Sequence, residues 1–213
     1  MGKKKGHKKK GKGRKDLKAG LQVLHETHQL KNLHVAPRLM VFIDQSYLYY
    51  CRREKDITIN YLDLADFLTL DTGVKYALQR VILYGSINES LDPQKVAGQE
   101  KFYQMVSKYP KFDVQLFPIR LRRNQNGEVI GKAEKCVDCA IATGLVKYAL
   151  LGAYDTAILI SGDEDLVPPV REVVDQGLEV IVAAFDDTYS DKLRSEALGF
   201  ISMTKNQPAF TQL

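Results

Sequence analysis

The chain has 213 residues, of which 45% are apolar and 27% charged. That suits one α/β-sized globular domain with chain to spare, and it excludes a fibrous protein and disorder throughout. Nothing approaches about 18 consecutive apolar residues, so no membrane span is expected. The basic N-terminus lacks the apolar stretch of a secretory signal, and three cysteines cannot pair completely, which together point to a reducing, cytoplasmic setting.

The net charge of +5 hides a segregation. Residues 1–15 carry nine cations and no acid, which leaves 22 basic against 26 acidic residues in the remainder, a net of −4. A Lys/Gly-rich segment without apolar residues buries too little to offset its conformational entropy, so a disordered tail able to track phosphates is expected over 1–15. RNA is the partner this suggests; a purely solubilising or targeting tail stays open. The four histidines, His7, His25, His28 and His34, all precede the first strong strand, so chemistry that needs a histidine base is hard to build in the body.

In chain order, leucines 17, 21, 24 and 30 suggest a linker helix over 16–35. Apolar runs then predict strands at 39–44, 80–85, 112–117, 156–161 and 179–185, with a short one at 200–203. Helical patterns lie between them at about 61–69, 93–108, 134–151, 166–176 and 189–197. Asn124-Gln-Asn-Gly127 reads as a turn between extended arms. This βαβα alternation predicts a mainly parallel sheet covered on both faces, a three-layer domain over 36–205 with a C-terminal tail over 206–213. Homo-oligomerisation stays open.

In such sheets ligands bind beyond the carboxyl ends of the strands, where the strand order reverses. Asp44 ends the first strand, and Ser161-Gly-Asp163-Glu-Asp165 ends the one at 156–161. Asp138 is expected on the inner face of its helix beside Ile141, Ala142 and Leu145, with Glu134 on the same face. Acids gathered this way repel unless a hard cation, Mg²⁺ or Mn²⁺, is bound by their oxygens. Such a metal would polarise a phosphodiester and activate a water. Read singly, Asp163 and Asp165 are also ordinary residues for a turn or helix N-cap.

Phe42-Ile-Asp44, Lys135-Cys-Val-Asp138 opening a helix, and Ile158-Leu-Ile-Ser-Gly-Asp-Glu-Asp-Leu166 followed by Gly177-Leu-Glu-Val180 resemble the NYN family of PIN-like, LabA-like metal-dependent ribonucleases. The resemblance spans about 38–203. It implies a Rossmann-like, PIN-type fold and a Mg²⁺- or Mn²⁺-dependent endoribonuclease, with Asp44, Asp138, Asp163 and Asp165 as metal-holding catalytic residues. Two positions depart from the family pattern: Tyr47 stands where Asn is usual, with Ser46 or Asn60 as polar substitutes, and Leu166 where Phe is usual.

Single-stranded or looped RNA would be held by cations and rings around the acids: Tyr47, Arg52 and Arg53 after the first strand, with Tyr49 and Tyr50, and Arg122, Arg123, Lys132 and Lys135 before Asp138. The competing reading is a non-catalytic RNA-binding or regulatory module on the same fold, for which Tyr47 speaks. A haloacid-dehalogenase-type phosphatase fails at Ser46, where it needs a second aspartate. Cys136 and Cys139 lack the further ligands of a zinc site and read as small residues on a buried helix turn.

Overall fold

The computed structural model describes residues 36–88, 92–126, 128–134 and 136–212. The expected tail, the linker helix, the four histidines and Lys135 lie outside the described residues, and Arg122, Arg123 and Lys132 are described by backbone alone. The elements are β1 (Arg38–Asp44), α1 (Gln45–Glu54), β2 (Thr58–Ile59), α2 (Tyr61–Asp66), β3 (Ala77–Ile87), α3 (Pro93–Val106), β4 (Phe112–Arg123), β5 (Val129–Glu134), α4 (Val137–Leu150), β6 (Thr156–Ile160), α5 (Val167–Asp175), β7 (Glu179–Ala184), α6 (Asp191–Glu196), β8 (Gly199–Ser202), α7 (Met203–Asn206) and β9 (Thr211–Gln212). Among these residues no helix is long and apolar enough to cross a membrane.

Seven strands form one sheet in the order β5-β4-β3-β1-β6-β7-β8. All neighbours are parallel except the β4–β5 ribbon, in which Ile119 faces Glu134 and Arg122 faces Gly131. The apolar run of β1 is continuous because both faces are covered. Leu39, Val41 and Ile43 enter a core with Leu48 of α1, Leu64 of α2 and Val106 of α3, whereas Met40 and Phe42 enter a second core with Ile141 and Leu145 of α4 and Val170 of α5. Burying each such side chain is worth roughly 1.5–3 kcal/mol, so the sequence has no room for a polar residue between Leu39 and Ile43.

The parallel three-layer architecture agrees with the sequence reading, and four differences stand out. α1 was not among the expected helices. The helix expected from residue 134 starts at Val137, because Glu134 closes β5 opposite Ile119; it therefore does not share a helix face with Asp138. The boundary at 205 is passed: Phe210 is fully buried against Phe67 and Phe185, and β9 pairs with β2, so the expected C-terminal tail is part of the fold. Finally, Cys136 and Cys139 are both exposed rather than buried; the buried cysteine is Cys51.

From β1 the chain winds to β3 on one side, and from β6 it winds to β7 on the other. The strand order therefore reverses between β1 and β6, and their carboxyl ends carry Asp44 and the Ser161–Asp165 loop.

Candidate active site

Asp44 is the last residue of β1 and the N-cap of α1, and it is 6% exposed. Its Oδ1 accepts the Tyr47 backbone N–H at 3.0 Å and its Oδ2 accepts the Ser161 hydroxyl at 3.0 Å. A carboxylate buried to this degree is tolerable because each oxygen has a donor and the positive end of α1 faces it. Ser161 has no exposure and bridges two loops: while donating to Asp44, its Oγ accepts the Asp163 N–H at 3.2 Å. Asp163 in turn caps the 3₁₀ turn Glu164–Leu166, its Oδ1 accepting the Asp165 N–H at 2.9 Å. The capping role and the site role of Asp163 coincide, since the cap uses one carboxylate oxygen. Asp163 and Asp165 are both exposed.

Gly162 sets how these acids sit. A Cβ there would lie 2.0 Å from the Thr188 carbonyl oxygen, so only glycine lets the 161–165 loop lie against the loop after β7. The Ser190 N–H donates to the Gly162 carbonyl at 3.0 Å, and Glu164 pairs with Lys192 and accepts the Ser190 hydroxyl. Lys192 holds the Glu164 carboxyl below its ordinary range. Glu164 therefore belongs to the seam with α6 rather than to the acidic site.

Tyr47 departs from its expected place at the RNA-binding surface. Its ring packs against both cores, and its hydroxyl accepts the Phe185 N–H at 2.8 Å while lying 2.7 Å from Thr188 Oγ1. Thr188 spends its one proton on the Phe185 carbonyl, so the Tyr47 hydroxyl is the donor to Thr188. Burial pushes the Tyr47 phenol up, which keeps it protonated and donating. Tyr47 is thus a strut between α1 and the end of β7, not a platform for a base. Asn60, a candidate substitute for the family asparagine, caps α2 through its Oδ1.

Asp138 is the larger correction. It lies at the start of α4, at the same edge of the sheet, but it is exposed; the buried stripe of α4 is Val137, Ile141, Gly144, Leu145 and Ala149. The stripe falls there because Gly144 admits the Tyr84 hydroxyl, which an added Cβ would meet at 2.1 Å. Among the described residues no three His, Cys, Asp or Glu side chains stand together as a ready metal cage. What the structure brings together directly is Asp44 and, through Ser161, the Asp163 loop.

Arg52 and Arg53 lie over the Tyr49 ring, 5.2 and 5.7 Å from its centroid, and Tyr49 meets Tyr50 edge to face. Both tyrosines are exposed. Residues that the sequence reading passed over also stand here: Gln45, Tyr61, Phe102 and Tyr103 wall a cavity beside Asp44. Adjacency of Gln45 to a strand-ending acid was the one sequence signal for it.

A parallel Rossmann-like, PIN-type sheet with acids at its switch point defines a nuclease-like class of protein. Within that class the chain belongs to the NYN domain family, whose model matches residues 38–204. No curated protein matches the chain. Among solved structures, the crystal structure of a protein of unknown function from Vibrio parahaemolyticus is similar, with a TM-score of 0.58 and 20% identity over 84% of this chain and 98% of that one. At that identity the likeness is one of fold.

Proposed function

We propose that the protein is a metal-dependent endoribonuclease acting on single-stranded or looped RNA. The observation that carries this reading is the Asp44–Ser161–Asp163 connection at the switch point of the sheet, in a chain of the NYN family. The donor set suits Mg²⁺ or Mn²⁺: the acids gathered here offer hard carboxylate oxygens, and such a cation keeps several waters and takes one or two protein carboxylates. Asp44 and Asp163 would hold it, with Asp165 and Asp138 at the margin. When bound, such a metal supplies polarisation of the phosphodiester and acidification of a water.

The chain's own residues do the rest. Ser161 fixes the Asp44 carboxylate and the Asp163 backbone in one frame, so the site is set before substrate arrives. Arg52 and Arg53 hold the strand by its phosphates, with Tyr49 and Tyr50 as stacking faces. Arg122, Arg123, Lys132 and Lys135 and the cationic residues 1–15 are proposed, on residue type alone, to add phosphate contacts, which carry no sequence information. The cytoplasm is the compartment proposed for this activity.

The second reading, a non-catalytic RNA-binding module, is favoured by Tyr47, which occupies the family's asparagine position and whose hydroxyl is engaged by Phe185 and Thr188. Cleavage of end-labelled single-stranded RNA with Mn²⁺, Mg²⁺ or EDTA separates the two. The expected result is metal-dependent cutting that falls about a hundredfold or more in Asp163→Asn, the equivalent of a few kcal/mol of transition-state stabilisation. RNA binding without cutting by the wild type would establish the second reading.

A further inference from the structure

Cys136 and Cys139 stand three residues apart at the start of α4, with Asp138 between them. Both are exposed free thiols, whereas the third cysteine, Cys51, is only 3% exposed. Val137 and Asp138, the two residues that separate the pair, are helical, and the Cys136 carbonyl accepts the Ala140 N–H at 2.8 Å as the first rung of the helix. The torsions of the two intervening residues set the Cα–Cα distance across three positions, so helical geometry holds these Cα atoms about 5 Å apart. That lies inside the range of roughly 4.4–6.8 Å that a disulfide spans. Cys136 also sits in the left-handed region at φ 73°, where glycine is the usual choice, so its thiol stands there against local preference.

Both cysteines line one groove of about 410 Å³ between α4 and the strands β3 and β4. Gln115, Thr143 and Lys147 bring an amide, a hydroxyl and a cation to the same groove. Tyr84 lines it as well, and its fully buried hydroxyl has no hydrogen-bond partner among the described residues. An orphaned hydroxyl is costly, and a ligand that carries carbonyl or carboxylate acceptors offsets that cost. The groove therefore suits a small peptidic anion and presents it to two thiols.

We propose that Cys136 and Cys139 form a thiol–disulfide exchange site that takes an acidic, peptidic low-molecular-weight disulfide, such as oxidised glutathione, in this groove. One cysteine thiolate attacks a sulfur of the incoming disulfide, forms a mixed disulfide and releases one small thiolate, which takes up the proton that the cysteine gave. The other cysteine thiolate then attacks the protein sulfur of the mixed disulfide, the Cys136–Cys139 bond forms, and the second small thiol leaves. Two protein thiols thereby lose two electrons and two protons, and the small disulfide gains both to become two thiols. The proposal is independent of the RNA reading, although the bridge closes around the turn that carries Asp138.

The test incubates the full reduced chain with oxidised glutathione, blocks the remaining thiols with N-ethylmaleimide after unfolding, and reads the intact mass. Wild type is expected to carry a single maleimide, on Cys51, and no glutathione; after dithiothreitol it should carry three. Cys136→Ser and Cys139→Ser, both at exposed positions, should each retain one glutathione instead, since neither can close the bridge. Lys147→Ala should slow bridge formation about two- to fivefold at low salt, the worth of one exposed charge pair. Wild type that carries three maleimides, or that holds glutathione on both cysteines without a bridge, would overturn the exchange site. A bridge formed as fast in Lys147→Ala as in wild type would overturn the groove as the place where the disulfide docks. The wild-type masses decide even where a serine variant fails to fold.

Discussion

On the β6 side of α1, polar groups are satisfied by one another: Asp44 by Ser161 and the Tyr47 N–H, Ser161 by Asp163, and Tyr47 by Phe185 and Thr188. On the α3 side of the same helix, the walls are aromatic, and Gln45, whose Oε1 accepts the Tyr61 hydroxyl at 2.6 Å, lines a recess. The first side is a hydrogen-bonded network that fixes two acids; the second is a recess with aromatic walls. One helix of ten residues serves both, because Asp44 caps it and Gln45 begins it. The contrast teaches that one short helix can turn a hydrogen-bonded, charge-positioning face to one side and an aromatic face to the other.

Three changes break or sharpen that contrast. Gly162→Ala should break the hydrogen-bonded side most severely. Its Cβ meets backbone rather than a movable side chain, so the loops must part, at a cost of about 3 kcal/mol in urea denaturation and with loss of metal-dependent cleavage. Native-like stability and cleavage would mean that the two loops are not held as described. Tyr47→Phe is milder: it keeps the ring but leaves the Phe185 N–H without its acceptor, and about 1–2 kcal/mol should be lost by the same measurement. Because the phenol is engaged by Phe185 and Thr188, cleavage at saturating RNA should stay within a few-fold of wild type. A collapse of cleavage with stability intact would instead put the Tyr47 hydroxyl in the chemistry.

Asp155→Asn is the smallest change and serves as the distant control, at the amino end of the sheet. The Arg38 side chain and backbone hold the Asp155 carboxyl below its ordinary 3.8. The native state then binds fewer protons than the unfolded chain near that value. The pair stabilises above it, and the contribution is lost as pH falls through the lowered native value. Melting temperatures between pH 6 and pH 3 should fall slightly more steeply for wild type than for Asp155→Asn. The difference should shrink with added salt, since both side chains are well exposed.

Much of this was legible in the sequence because the buried parallel strands leave apolar runs, and the runs at 39–44, 156–161 and 179–185 are nearly the observed β1, β6 and β7. The same runs end at the acids, so the switch point could be found without coordinates. α1 was not legible: Gln45–Glu54 is a mixture of rings and polar groups with a weak apolar stripe, and what starts it is the cap from Asp44, a residue whose type also suits a metal ligand. The inward placement of Asp138 failed because Ile141 and Leu145 fit two stripes about one residue apart, and the choice is made by Tyr84 against Gly144, a contact between distant segments. Tyr47 was read as a stacking ring for a similar reason, since its partners Phe185 and Thr188 lie more than 130 positions away. The two-residue ladder of β2 with β9 is too short and too non-local to leave any pattern.

The near-contact of Gly162 with Thr188 also bears on how this chain can change over generations. Two loops that meet backbone to backbone inherit each other's mutations: an insertion between Phe185 and Ser190 would be felt at Asp163 although none of the acids had been altered. A genetic screen that starts from a damaged Asp163 loop should therefore find its second-site suppressors around Thr188, in a stretch that carries none of the motif by which the family is known.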